Sequence, residues 1–408
     1  MSSRTEMAKS KIYVGLEVGT SKTCMVVGEV KADSSVKILG VGETKSVGVR
    51  KGEISDMANV RTCVREALLE AEDVCDVDIR SVFLSVTGSH ITGVNNRGTF
   101  RLPDEDQEIT TEHVEEAKEI ARDIAIPSDN VYLHNIVRQY WIDGNEQASN
   151  PIGLLGRTLE ADFHIVHGVK NRIQNSIKCA REIPLDVDDV VFAPIASAQI
   201  ALNRQDKEAG ALVIDIGGGT TDYVLYLNGA VAASGCIPVG GDHVTNDIHL
   251  VTQMPLSKAE KVKCTEGDAS GDPARSVGTV TIPDDKGFPE LEIKRQLLND
   301  IIRGRLEETL RLVKQKLPDG SLEKVGTGVF LTGGSSLMRG FGELANDVFH
   351  LPIYRPEQPE VSGIHEYFRD PQYSTAVGLI RYAQLMDEDS PKEKAGVLGK
   401  LVKAVWPF

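Results

Sequence analysis

Short apolar runs closed by glycine alternate along this chain with stretches in which apolar residues return at helical spacing, the pattern of an α/β protein. The clearest run, at 211–226, reads Ala-Leu-Val-Ile-Asp-Ile-Gly-Gly-Gly-Thr-Thr-Asp-Tyr-Val-Leu-Tyr. Leu212, Val213, Ile214 and Ile216 predict a buried strand interrupted by one carboxylate, Asp215. Gly217, Gly218, Gly219, Thr220 and Thr221 predict a tight turn, and a second strand starts at Tyr223. The pattern returns at 14–23, where the strand carries Glu17 and the turn is Gly19, Thr20, Ser21 and Lys22, before an apolar run at 25–27. Glu17 and Asp215 are 198 residues apart. Two such hairpins in separate halves of a chain can face one ligand from opposite sides.

The remaining pattern fills in the two halves. A strand at 36–41, a helix capped by Asp56 and running to about 74, and a strand at 82–86 complete a first half-domain. From 88 to about 164 the character changes: strands at 91–94 and 98–102, an acidic helix at 110–124, a strand pair within 131–142 and a strand at 159–167 predict a small α+β insert. His134, His164 and His167 lack metal-like spacing there and read as packing or surface residues. A helix at 171–182, a strand at 187–191 and a helix at 196–202 lead to the second hairpin. After it come a strand at 230–237, a helix at 244–251 opened by Gly240, Gly241 and Asp242, a helical segment at 258–263, and a polar stretch to 289 around a strand at 276–282. A long helix follows at 290–316. Val-Phe-Leu-Thr-Gly-Gly-Ser-Ser at 329–336 is a third strand-to-glycine turn, with Gly340 and Phe341 opening a helix, and the last body helix spans 373–385.

The chemistry these turns suggest is phosphate binding. Adjacent glycines expose backbone N–H groups with no Cβ in the way, so they can wrap an anion, and the threonines add hydroxyl donors. A carboxylate at the end of a buried strand is costly unless it meets a cation, which beside a phosphate is Mg²⁺. The amides at Gly240 and Gly241 suit a phosphate or sugar, although taken alone they fit a plain strand-to-helix turn as well. Composition is that of a globular protein: 408 residues, 41% hydrophobic and 26% charged. A net charge of −15 argues against nucleic acid as a partner of the body. The six cysteines are scattered with no C-x-x-C pair, so neither a disulfide framework nor a zinc site is expected, and a reducing cytoplasm is. Residues 1–11 are polar, without a signal-peptide apolar region, and no stretch has the length of a membrane-spanning helix.

The paired hairpins, the helix at 194–202 and the Leu-Thr-Gly-Gly-Ser-Ser turn resemble the actin-like ATPase superfamily. The insert, the run Pro-Val-Gly-Gly-Asp-His-Val-Thr-Asn-Asp at 238–247 and the C-terminal tail resemble, within it, the bacterial FtsA family, over about 11–408. The resemblance implies a duplicated, ribonuclease H-like α/β fold with ATP in a central cleft between four subdomains. These are IA (11–84, 166–205 and the 362–386 helix), the inserted IC (85–165), IIA (206–245 and 320–361) and IIB (246–319). It implies that Gly19, Thr20, Ser21 and Lys22 hold phosphates from one side and Gly217 to Thr221 from the other. Asp215, with Glu17, faces Mg²⁺; Gly240 and Gly241 lie near the sugar; Gly333, Gly334 and Ser335 line the adenosine, with Arg303 and Glu307 as further adenosine contacts. Two departures weaken hydrolysis more than binding: Glu17 stands where the family usually has Asp, and Ala193 where it usually has a Glu that orients the attacking water.

A polar linker at 387–394 precedes a tail at 395–408. On a helix Val397, Leu398, Leu401, Val402, Val405 and Trp406 share one side, opposite Lys400 and Lys403. A lysine-bearing amphipathic end with a terminal Trp suits an anionic membrane surface. Gly396 and Gly399 make the helix weak in isolation, so it needs a surface to fold on. By resemblance the protein anchors FtsZ filaments to the cytoplasmic face of the membrane at the division site, receives the FtsZ C-terminal peptide on IIB, binds other division proteins and polymerises. Lys294, Arg295 and Arg303 are candidate partners for that acidic peptide; a solvated helix face explains any one of them equally. An actin-like adaptor of another envelope machine, such as a pilus-assembly ATPase, and a small-molecule kinase are the alternatives. The tail and insert argue against the first, and the lack of a base presented to an acceptor argues against the second.

Overall fold

The computed structural model describes residues 10–31, 33–104, 107–284, 289–357, 361–364 and 369–388. The first hairpin lies inside a six-stranded sheet of order Asp186–Phe192, Ser81–Val86, Lys11–Val18, Lys22–Val30, Val36–Lys45 and Val361–Gly363. Lys11–Val18 and Lys22–Val30 pair antiparallel up to Val18 opposite Thr23, so Gly19, Thr20, Ser21 and Lys22 form the whole turn. The helix Met57–Cys75 starts where the Asp56 carboxylate accepts the Ala58 and Asn59 amides. It buries Val60, Val64, Ala67, Leu68 and Ala71 in the core beneath that sheet.

The second hairpin, Ala211–Ile216 with Thr221–Leu227, sits in a nine-stranded sheet between Ala230–Ile237 and the parallel strand Gly328–Thr332. Both strands are almost wholly buried, with Asp215 directly opposite Asp222. Two helices, Ala193–Ala201 and Ser374–Glu388, cross between the halves in close contact. A Cβ on Gly378 would lie 2.1 Å from the Ala196 carbonyl oxygen. The nucleotide-type turns of the two hairpins therefore meet at the mouth between two sheets.

The insert is built on Thr158–Val169, flanked by Ile91–Arg101 and Asn130–Ile142. The helix Thr111–Arg122, capped by Thr110, buries Val114, Ala117 and Ala121 against Leu159, Ala161, Phe163 and Ile165. Although it interrupts the first half in chain order, its sheet joins the second half through one backbone pair, Thr92 with Gly235. His164, buried, bridges the same seam from Asn95 (2.7 Å) to Ser234 (2.8 Å). The Asn95 amide donates to the Ala232 carbonyl at 2.9 Å. His134 accepts the Phe192 amide at 2.9 Å and His167 bonds Asn130 at 2.8 Å. Burial pushes His134 down to about 4 and His164 to about 3, so both are neutral, and the hydrogen bonds above occupy them inside the structure.

Several expected boundaries move. The two strands expected at 91–94 and 98–102 are one, and the pair expected within 131–142 is one strand with irregular register opposite Asp162–Phe163. The long helix begins at Arg295 instead of 290, because Leu291–Lys294 is recruited as a strand by Thr279–Ile282. The expected linker also starts later. Asp387 and Glu388 end the last helix, with Asp387 accepting from Lys11 at 2.5 Å and from Tyr13. The tail positions Val397, Leu398, Lys400, Leu401, Val402, Lys403, Val405 and Trp406 lie outside the described residues.

Candidate functional site

The two glycine turns and the third one converge on a cleft of about 680 Å³, a size suited to a small-molecule ligand. In the first turn the Gly19 amide donates to the Lys22 carbonyl at 3.0 Å, and in the second the Gly217 amide donates to the Thr220 carbonyl at 2.9 Å. The turns touch across the cleft. A Cβ on Gly219 would stand 2.4 Å from the Thr20 hydroxyl oxygen, and one on Gly218 would stand 3.1 Å from the Ser21 Cβ. The helix Gly241–Thr252 does not point free amides at the cleft, contrary to the sequence-based expectation. Its Gly241 and Asp242 amides donate to the carbonyls of Gly217 (3.0 Å) and Gly218 (2.8 Å), and Gly240 packs on the same two oxygens. Gly240 and this helix start support the turn from behind, while Gly241 still lines the cleft. Thr221 likewise turns away, donating its hydroxyl to Val239 at 2.8 Å.

Three carboxylates gather beneath the turns. Asp215 accepts from the Thr375 hydroxyl at 3.0 Å; Asp222 accepts from Thr220 at 3.1 Å and from Thr87. Burial raises all three: Asp215 to about 8, with Glu17 and Asp222 adding repulsion; Glu17 to about 7; and Asp222 to about 6. Carboxyl groups whose ionisation burial opposes in this way are ready to ionise once a cation sits beside them, so the site fits a cation. Among the described residues no preformed cage of three metal-binding side chains exists, and Mg²⁺ in phosphate sites is held by one or two carboxylates together with phosphate oxygens. The anion has its own counterpart. The buried Lys22 ammonium makes no hydrogen bond; it stands 3.2 Å from the centre of the Tyr373 ring and 3.8 Å from Glu43. A buried ammonium that makes no hydrogen bond, in the wall of a phosphate-sized cleft, fits a phosphate ligand.

The third turn closes the other end. Gly333 is left-handed at φ +81, and a Cβ there would lie 2.4 Å from an Asp215 oxygen, so only glycine allows this approach. The Ser335 hydroxyl donates to the Gly217 carbonyl at 3.3 Å, joining the third turn to the second, and Gly334 packs on Gln372. Arg303 and Glu307 are not in the cleft. Arg303 donates to the Ala269 carbonyl (2.8 Å) and Asp347 (2.9 Å), and Glu307 pairs with Arg311 at 2.6 Å. The long helix contributes Leu306 instead, one residue before Glu307 and on the inner face. The sequence reading also missed Lys263, which lines the cleft with a buried ammonium that bonds Gly241 O (3.2 Å), Thr245 (3.0 Å) and Glu260 (2.7 Å). Asp222 had a signal, since it faces Asp215 across the same hairpin.

The site has the parts to hold a triphosphate: two opposed glycine turns, an ammonium that makes no hydrogen bond, and buried acids on which a cation can sit. A family model described as "Cell division protein FtsA" matches residues 212–378, and one described as "SHS2 domain inserted in FTSA" matches 88–167. The cell division protein FtsA of Pseudomonas aeruginosa is 35% identical over 380 residues, covering 93% of this chain and 91% of its own. That of Borreliella burgdorferi is 37% identical over 373 residues, covering 91% and 90%. The chain belongs to the FtsA family of cell division proteins. Among solved structures it is similar to the PilM-PilN type IV pilus biogenesis complex, with TM-score 0.64 at 18% identity over 93% of this chain and 99% of that one. It is also similar to MreB5 of Spiroplasma citri bound to ADP, with TM-score 0.53 at 15% identity over 93% and 99%. The fold is thus actin-like, with the FtsA-type insert at 88–167. For the pilus-type alternative the likeness extends to the fold alone, while the sequence relatives are division proteins.

Proposed function

We propose that this FtsA-family chain binds ATP with Mg²⁺ in the cleft and anchors FtsZ filaments to the cytoplasmic membrane at the division site. In this reading it receives the FtsZ C-terminal peptide on 246–319, lies on the membrane through 395–408 and polymerises with its own copies. The observation that carries the nucleotide part is the convergence on one cleft of two opposed glycine turns, a Lys22 ammonium that makes no hydrogen bond, and the buried carboxyl groups of Glu17, Asp215 and Asp222. Gly19, Thr20, Ser21 and Lys22 hold the phosphates from one side and Gly217 to Thr220 from the other. Asp215, with Glu17, would hold Mg²⁺, whose chemistry is to neutralise phosphate charge. Ala193, at the start of its helix and in the cleft wall, offers a methyl group where a water-orienting carboxylate would be needed. Turnover is accordingly slow and ATP acts chiefly as a structural ligand.

Calorimetric titration with Mg·ATP tests the cleft: wild type binds, while Asp215→Ala and Gly218→Val do not. Equal affinity in all three proteins removes the nucleotide assignment. Co-pelleting with anionic liposomes and purified FtsZ, with and without ATP, tests the adaptor role, and an FtsZ signal that does not depend on this protein removes that part.

A further inference from the structure

One small hairpin outside the phosphate turns touches both glycine turns of the cleft and both chain crossings into the insert. It consists of Val49–Arg50 paired with Glu53–Ile54, with Lys51 and Gly52 as its left-handed tip. On the cleft side the Gly52 amide donates to the Thr20 hydroxyl at 2.9 Å. The tip is seated so tightly that a Cβ on Gly52 would lie 2.7 Å from the Thr87 methyl and 3.1 Å from the Thr220 methyl. Gly52 thus rests at once on the first turn, on the second turn, and on the last residue before the chain leaves the core for the insert.

On the other side the next residue, Glu53, meets both crossings between core and insert. Both carboxylate oxygens accept from Arg172 Nη1 at 2.6 Å, on the helix Lys170–Arg181 that begins as the chain returns from the insert. A Cβ on Gly88, where the chain enters the insert, would lie 3.1 Å from the Glu53 Cγ. Between the crossings, His90 accepts the Val169 amide at 3.3 Å and so ties outgoing to returning strand. Gly52 and Glu53 are adjacent in sequence, so the tip cannot shift against the phosphate turns without moving the carboxylate that clamps the insert root.

We infer that the 49–54 hairpin reports occupancy of the cleft to the insert, through Gly52 on Thr20 and Glu53 on Arg172. The inference rests on the nucleotide reading above and adds to it a route and a responding body. Two ligand states that place Thr20 and Thr220 differently bias the tip, and the Glu53–Arg172 pair passes that bias to both crossings. Glu53 and Arg172 are positioning residues; neither lines the cleft.

The test uses the full chain, with calorimetry for Mg·ATP binding and amide hydrogen exchange read by mass spectrometry over 88–104, 130–142 and 158–172. In wild type, saturating Mg·ATP slows exchange in these segments by about fivefold or more, the range of ordinary intersite coupling. Glu53→Gln and Arg172→Gln keep ATP affinity within about twofold but lose most of the slowing, and the charge-exchanged pair Glu53→Arg with Arg172→Glu regains it. Retained ATP binding in the single variants shows that they are folded. Undiminished slowing in both single variants overturns the inference, as does ATP binding by wild type with no change in the insert. Absence of ATP binding by wild type overturns the cleft reading itself, and this inference with it.

Discussion

Asp215 is surrounded in a way that makes its charge depend on its ligand. Burial and two neighbouring carboxylates favour its protonated form, and the same holds for Glu17 and Asp222. Without nucleotide the folded protein therefore holds more protons than the unfolded chain from about pH 4, where free carboxylates ionise, up to about 8 for Asp215. Stability from this source is present at low pH and lost as pH rises through that window. His90, His134, His164, His167 and His243 act in the opposite sense, because burial favours their neutral forms, and their effect fades about a unit above the ordinary histidine value of about 6.5. The carboxylate effect therefore prevails from about pH 7.5 to about pH 8, where the melting temperature of nucleotide-free protein falls as pH rises. Asp215→Asn flattens that slope, and so does Mg·ATP, because a cation takes the place of the proton. Differential scanning calorimetry across the range decides it; a level wild-type profile means the acids ionise freely. The sequence made Asp215 and Glu17 visible because each interrupts an apolar strand before glycine. It hid Thr87, Thr375 and Lys263, which reach the site from distant segments, and it set Arg303 and Glu307 at the cleft, whereas Arg303 is drawn to Ala269 and Asp347 and Glu307 to Arg311 while Leu306 lines the cleft.

The elements that carry these residues are held by close backbone packing between helices. Gly378 lets Ser374–Glu388 lie against the Ala196 carbonyl, and Gly15 lets the first strand approach the Ala376 carbonyl, where a Cβ would stand 2.4 Å away. Gly378→Val forces the two crossing helices apart, at about 1–3 kcal/mol or more for overpacking of this kind. Thr375, which donates to Asp215, shifts with its helix. Thermal unfolding should show a clear loss of stability together with weaker Mg·ATP binding, and an unchanged melting temperature would mean that the helices are not in contact. Most elements were legible from period and capping. The strand Ala230–Ile237 has the bounds its apolar pattern predicts, and the helix from Met57 starts at its Asp56 cap. Failures came where tertiary partners override local pattern. Ile91–Arg101 reads as two strands because Asn95 and Asn96 interrupt the apolar alternation. Their side chains bond Ala232 and Ala121, which explains polar residues in mid-strand.

At the scale of the whole molecule, the proposed adaptor has three working surfaces: the cleft, the 246–319 face and the tail. Of the basic candidates for an acidic peptide, Arg295 is engaged with Glu266 at 2.8 Å and Arg303 with Asp347, while Lys294 is exposed. Lys294→Glu should therefore weaken FtsZ-peptide binding and leave liposome flotation intact, and deletion of 395–408 should do the reverse. Flotation and peptide titration on the same purified variants check both arms, and a tail-deleted protein that still floats with anionic liposomes refutes the membrane assignment. The way the insert is attached has a mechanical consequence. In the nine-stranded sheet the neighbours of most strands share long ladders, whereas among the described residues the insert's backbone pairs with the second half at Thr92–Gly235 alone, with His164 and Asn95 alongside. If the insert is pulled away from the second half, those few hydrogen bonds should part before the long ladders on either side of them, leaving the insert joined to the first half through its two chain crossings.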